Sequence, residues 1–367
     1  MKINTEKMIF VLFFMFTTTL FSQENTKEIQ IYSPLEDRVK YANTINQEDL
    51  QKHLIVLASD SLEGRETGKR GQKMAAHYIR EFFKNLGIPP YKWKKYYQKF
   101  KVKSERHLCK CEDCDVGIIK KIFGRKSIIR GENVLGYIEG TDLKDELLII
   151  TAHYDHLGKH DSLIFNGADD DASGTAGALE IAEAFMLAKK EGKGPRRSVL
   201  IMTVSGEEKG LLGSKYYTDN PIYPLENTVA NLNIDMIGRI DDWHKNANYV
   251  YLIGSDRLSQ ELHDISEEVN EKYIGLELDY TYNDENDPNR YYYRSDHYNF
   301  AKNNIPVIFY FNGIHEDYHK TTDTIEKIDF KKIETITRLI FLTAWEVANR
   351  DERVKLNEKR LNENTKG

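Results

Sequence analysis

Leu147-Leu148-Ile149-Ile150-Thr151-Ala152-His153-Tyr154-Asp155-His156 passes without a break from apolar residues into histidine and carboxylate. An uninterrupted apolar run of this length reads as a strand buried on both faces, the kind found in parallel sheets. Two further runs end in the same way. Residues 199–204 lead into Ser205-Gly206-Glu207-Glu208, and Asn231-Leu232-Asn233-Ile234 leads into Asp235. Ligands of open α/β sheets bind just beyond the carboxyl ends of the strands, so three strands deliver His, Glu or Asp to one edge. Charged groups gathered there are costly if unpaired. A divalent metal is the usual solution, and His with carboxylates but no Cys suits zinc in an open, catalytic site.

The same alternation extends outward from this stretch. Residues 172–189 carry Leu179, Ile181, Ala182, Phe185 and Met186 on the buried side of a helix. Strands are predicted at 134–138, 249–253 and 306–311, and helices at 258–273 and 330–348. Upstream, apolar residues at helical spacing predict helices over 47–58 and 71–86, the second stopped by Gly87. A Lys/Tyr-rich stretch from 91 to about 130 is expected to hold edge strands and a cysteine-containing insert at about 104–130. Apolar strands alternating with helices predict an α/β fold, a mostly parallel sheet covered on both faces. One domain is expected over 46–349, after a polar lead-in at 23–45 and before a charged tail at 350–367.

The totals set the outer limits. A chain of 367 residues, 40% hydrophobic and 30% charged, can bury a large core. Its formal net charge of -6 argues against a nucleic-acid partner, which needs concentrated Lys and Arg. Lys2 and Lys7 precede an apolar run at 8–21. This reads as a signal peptide over residues 1–22, too short for a membrane span, and predicts export to a periplasmic or extracellular space with no stable membrane insertion after its removal. Cys109, Cys111 and Cys114 lie close together with His107. The set has the donors of a structural zinc, but compact zinc knuckles draw on two separated pairs, so a local disulfide or unpaired thiols is the expectation.

Single motifs at the strand ends are ambiguous. His153 and Asp155, two apart, point the same way, which lets Asp155 hold the far imidazole nitrogen while the near one faces a metal. Asn166-Gly167-Ala168-Asp169-Asp170-Asp171-Ala172-Ser173-Gly174 is a tight turn opening a helix, with three carboxylates that repel one another unless a cation intervenes. Glu207 and Glu208 suit a metallohydrolase, which needs one carboxylate on the metal and one to take a proton. Taken alone, each has a plain reading: a surface pair, an acidic helix start, a solvated loop.

Together they do not. His-Tyr-Asp-His, Gly-Ala-Asp-Asp-Asp-Ala-Ser-Gly, Gly-Glu-Glu-Lys-Gly-Leu-Leu-Gly-Ser, Leu-Asn-Ile-Asp-Met-Ile-Gly, Arg-Ser-Asp-His and Tyr-His-Lys-Thr-Thr-Asp-Thr follow one another in an order that resembles the co-catalytic zinc peptidases. That family includes secreted bacterial leucyl aminopeptidases, aminopeptidase Y, glutamate carboxypeptidase and glutaminyl cyclase. The resemblance covers residues 47–348 and implies a three-layer α/β/α fold with a central, mostly parallel mixed sheet of the phosphorylase/hydrolase-like kind. It implies two zinc ions per chain and a peptide substrate. His153 and Asp235 would bind one zinc, Glu208 and His319 the other, and Asp170 both. Glu207 would be the general base and Asp155 would orient His153. Tyr292 would stabilise the oxyanion, with Tyr291 and Tyr293 adjacent in register, and Asp296 would support the ligands. The resemblance gives no role to His156, and His160, His297 and His315 read as hydrogen-bonding or surface residues. An aminopeptidase is the expected activity. A carboxypeptidase using Arg239, Arg290 or Arg294, a glutaminyl cyclase and a non-catalytic receptor-like member are the alternatives. The full two-metal ligand set counts against the last two.

Overall fold

A computed structural model describes residues 35–91, 95–104 and 127–358. The expected signal peptide at 1–22, the cysteine cluster with His107, and the end of the charged tail lie outside the described residues.

Three helices open the described chain: α1 (Leu35–Ala42), α2 (Gln47–Leu57) and α3 (Arg70–Leu86). The Asn46 side chain caps α2 by accepting from the Asp49 N–H at 3.0 Å, and Gly87, at φ +82°, ends α3. Strands β1 (Tyr97–Ser104), β2 (Ser127–Ile138) and β3 (Leu143–His153) follow, then a small hairpin of β4 (Gly158–His160) and β5 (Leu163–Phe165). Next come α4 (Gly174–Lys190), β6 (Arg197–Val204), α5 (Leu212–Asp219), β7 (Thr228–Ile234) and β8 (Tyr249–Ile253). The chain closes with α6 (Gln260–Val269), β9 (Glu277–Asp279), α7 (His297–Ala301), β10 (Val307–Phe311) and α8 (Phe330–Asn349).

Among the described residues, eight strands form one sheet in the order β1-β2-β6-β3-β7-β10-β8-β9. The central pairs β6–β3, β3–β7 and β7–β10 are parallel, whereas β1–β2, β2–β6 and β8–β10 are antiparallel. Every residue of β6, β7, β8 and β10 is buried, as expected of strands covered on both sides. Alternation divides the core. Leu147, Ile149, Leu200, Met202, Phe309 and Phe311 cluster with Tyr217 of α5 and Phe300 of α7. Residues of the opposite parity, such as Leu148 and Ile150, face the layer in which α1, α2, α4, α6 and α8 pack on one another. The result is the mixed, mostly parallel α/β fold expected from the sequence.

Two stretches differ from expectation. Part of the polar lead-in is α1, which the buried Arg38 ties to Glu346 of α8 at 3.1 Å while Tyr41 stacks on Trp345. An ion pair and a tyrosine hold this helix, so no apolar stripe marks it in the sequence. The start of the charged tail is also packed: Val354 is buried, Arg350 reaches Glu261 at 2.7 Å, and the Asn357 N–H donates to Leu258 O at 2.9 Å.

Candidate metal centre

The parallel centre of the sheet places the carboxyl ends of β3, β6 and β7 side by side, and the chemistry gathers there. His153 ends β3. Its Nε2 lies 3.2 Å from Asp170 Oδ1 and 3.4 Å from Asp235 Oδ1, just past β7. Its Nδ1 donates to the Asp155 carbonyl at 3.1 Å, which turns Nε2 toward the carboxylates. This corrects the expected role of the Asp155 carboxylate, whose nearest oxygen is 3.8 Å from that nitrogen. The carboxylate instead accepts from Thr67 Oγ1 and, at 3.3 Å, from the Glu207 N–H. It fixes the loop that carries Glu207 while its own carbonyl fixes the imidazole.

The three consecutive aspartates occupy a kinked turn, Ala168–Ser173, that feeds α4; the peptide joining Asp170 to Asp171 is cis. Each carboxylate has a different destination. Asp169 accepts from Gly238 N at 2.6 Å and lies 3.2 Å from His315 Nε2. Asp171 accepts from Gly174 N at 2.9 Å, Met236 N at 3.1 Å and His153 N at 3.1 Å. Asp170 alone of the three faces the imidazoles of His153, His156 and His319, and its own backbone N–H is held by Asp323 at 3.2 Å. The outer two thus lock the turn to neighbouring loops and present the middle one.

Glu208 follows β6. Its Oε2 lies 3.3 Å from His319 Nε2, which is itself 3.1 Å from Asp170 Oδ2. His319 comes from a loop, at φ +57°, a left-handed backbone that is rare for a non-glycine residue. His156 is also present here: its Nδ1 is 2.8 Å from Glu208 Oε1 and 3.7 Å from Asp170 Oδ2. All five residues expected to bind metal therefore meet at one edge, along with His156, which the family resemblance leaves without a role.

Beneath Asp235 runs a directed chain of hydrogen bonds. Asn231 Nδ2 donates to Thr151 Oγ1 at 3.0 Å, and Thr151 Oγ1 donates to Asn233 Oδ1 at 2.6 Å. Asn233 Nδ2 donates to Ser295 Oγ at 2.9 Å, and Ser295 Oγ donates to Asp235 Oδ2 at 2.6 Å. All five residues are buried. Sequence reading missed Ser295 as a support for Asp235; the only signal was its place beside Asp296. Asp296, expected in that part, instead accepts from Ser214.

A pocket opens onto His153, Asp170, Glu207 and Asp235. Met236, Phe309, Phe311 and Ile314 supply apolar wall, and Tyr291, Tyr318 and Arg294 complete it. Burial pushes the Glu207 carboxyl well above the usual carboxylate range against the pull of His153, with Glu208, Asp235 and Asp296 adding to the rise. The structure departs from the expected oxyanion donor. Tyr292 packs under the Arg257 guanidinium at 4.0 Å and against His297, and the pocket is lined by its neighbour Tyr291. One residue of register in the turn at Tyr291–Tyr293 decides which ring faces the site. His297 is a core residue, stacked on Phe309 and lowered to about 3 by burial.

The donors fit a divalent metal. His153, Asp170 and Asp235 bring one atom each within 4.8 Å of one another, and so do His156, Asp170 and Glu208. Burial lowers the His319 imidazolium, but Asp170 and Glu208 outweigh it and hold it up at about 10. The carboxylates thus call for positive charge, and these imidazole and carboxylate donors suit zinc.

Comparison with known proteins agrees with this geometry. Residues 133–344 match the model of peptidase family M28. Aminopeptidase YwaD of Bacillus subtilis is 27% identical over 240 residues, covering 63% of this chain and 48% of that protein. A probable zinc metalloprotease of Leptosphaeria maculans is 34% identical over 114 residues, 30% of this chain and 25% of the relative. The chain thus spans about half or less of the length of these relatives. An aminopeptidase from Aneurinibacillus sp. strain AM-1 superposes with a TM-score of 0.66 at 16% identity, over 86% of this chain and 97% of that structure, and so shares the fold.

Proposed function

The chain belongs to peptidase family M28, and from that premise we propose that it is an exported aminopeptidase that uses two zinc ions to release N-terminal residues from peptides. The observation that carries this reading is the pocket, lined by Glu207, His153, Asp170 and Asp235 together with the apolar Met236, Phe309, Phe311 and Ile314. The carboxylates suit a free α-ammonium group, and the apolar residues suit an apolar side chain.

His153, Asp170 and Asp235 would hold one zinc, and Asp170, Glu208 and His319 the other. When bound, zinc supplies Lewis acidity toward water and toward the scissile carbonyl. The remaining work falls to the protein. Glu207, whose burial raises its affinity for a proton, takes a proton from the attacking water and returns it to the leaving amine. Asp155 holds the Glu207 backbone, so base and imidazole share one anchor. A pocket phenol, Tyr291, donates to the developing oxyanion.

Arg294 supports a second reading. It lines the same pocket and stacks on Tyr291 at 4.9 Å, where it suits the free carboxylate of a short peptide or of a carboxypeptidase substrate. A panel of free, N-acetylated and C-amidated peptides separates the two. Cleavage that needs a free amino terminus supports the aminopeptidase; cleavage that needs a free carboxyl terminus and tolerates acetylation overturns it. Export is tested by sequencing the N-terminus of the mature protein, with residues 1–22 expected to be absent. Glu207→Gln should keep its metal and lose about 10²–10⁴-fold in kcat; a fully active variant sinks the assignment of the base.

A further inference from the structure

The family resemblance assigns five side chains to the metals and leaves His156 idle, but its surroundings are those of a ligand. The His156 side chain is fully buried, with Nδ1 2.8 Å from Glu208 Oε1. Yet neither ring nitrogen, nor that oxygen, has a hydrogen-bond partner. The separation is right for a hydrogen bond and the angles are not. The His156 nitrogen and the carboxylate oxygens of Asp170 and Glu208 lie within 4.8 Å of one another, close enough to share one cation. Buried polar groups without a hydrogen bond of good geometry are costly unless something else satisfies them.

The fold holds the ring in place. The His156 N–H donates to the Arg65 carbonyl at 3.3 Å. Gly167, at φ +54°, lies against the imidazole, and a Cβ there would come within 2.5 Å of the ring. Across the site, His319 Nε2 approaches the same pair of carboxylates, Asp170 and Glu208, and the two imidazole centroids are 5.9 Å apart.

We propose that His156 Nδ1 is a fourth protein donor to the zinc at the Glu208 position, together with Asp170, Glu208 and His319. Zinc with four protein donors is closed, whereas a three-donor zinc keeps a position open for water or substrate. The two positions are therefore unequal. His153, Asp170 and Asp235 form the open one; the Glu208 position charges and braces Asp170. The pocket agrees, since it is lined by His153, Asp170 and Asp235 and by none of Glu208, His319 and His156. The inference rests on the two-zinc reading above.

The test is titration of metal-free protein with Zn²⁺ and with Co²⁺, read by calorimetry and visible absorption. Wild type should take up two ions in two unequal steps, with the intense cobalt bands of a four-coordinate centre in one of them. His156→Ala should weaken one step by more than the about 10–100-fold that outer-shell partners contribute, and spare the other. His156→Cys places a thiolate at the same position and should add a sulfur-to-cobalt charge-transfer band that wild type lacks, a readout independent of activity. Two ions in wild type, with unchanged affinities in His156→Ala and no new band in His156→Cys, would overturn the role of His156 alone. A single ion in wild type would overturn the two-zinc reading and this inference with it.

Discussion

The two halves of the site are built differently although they share Asp170. His153 and Asp235 stand at the ends of β3 and β7 and are buried, and the hydrogen-bond chain from Asn231 to Ser295 fixes Asp235. Glu208 and His319 come from loops, and the His319 side chain is 37% exposed. The half that lines the pocket is the half on strands. A rigid frame is needed where a reacting atom must be placed, because small displacements there are costly in rate. The loop half has only to supply charge and hold its share of Asp170.

Asp170→Asn is the widest test, because it strikes both halves at once. We expect kcat/KM to fall by about 10⁴-fold or more, equivalent to about 5 kcal/mol of barrier, and both metal-binding steps to weaken; loss of only one step would mean that Asp170 is not shared. Next is the pocket wall. Tyr291→Phe should cost about 10²–10³-fold in kcat, the range for an oxyanion donor, while Tyr292→Phe should stay within a few-fold. The reverse order would return the role to Tyr292. Ser295→Ala then isolates the strand half: one zinc affinity should drop about 10–100-fold with the other unchanged. Equal weakening of both would erase the distinction drawn between the halves.

The smallest effect serves as a control on global stability. Burial lowers the Lys332 ammonium to about 7, although Asp169, Asp241 and Asp329 pull it upward. Below about 7 both folded and unfolded chains are protonated and the buried charge is costly. Between there and the ordinary lysine range only the unfolded chain holds the proton, so this group makes the protein more stable as pH rises. Lys332→Met should flatten that rise in melting experiments and leave both zinc affinities as they were. If zinc binding changes too, the two halves are not insulated from the helix behind them.

How much of this was legible in the sequence depends on what sort of signal each part leaves. β3, β6 and β7 were readable because burial on both faces demands unbroken apolar runs. The ligands at their ends were readable because charge directly after such a run needs an explanation. α1 was hidden, since an arginine–glutamate pair and a tyrosine hold it. Ser295 and the asparagines of the hydrogen-bond chain were hidden too: a buried amide looks like any polar residue until its partners, 62 to 82 positions away in sequence, are beside it. His319 came from the family resemblance, since an isolated histidine in a loop carries no periodicity. His156 was visible in the motif and unread, because only the crossing of two loops brings Glu208 beside it.

Three identical residues in a row would ordinarily suggest spare capacity. In the turn before α4 they have none, because Asp169, Asp170 and Asp171 face different walls. A saturation-mutagenesis map of this region should therefore show three adjacent intolerant columns with distinct defects. Substitutions at 170 should yield soluble protein that cannot load metal, and those at 169 and 171 should reduce the yield of folded protein itself. No neighbour can step in for another, and selection must preserve each of the three codons for its own reason.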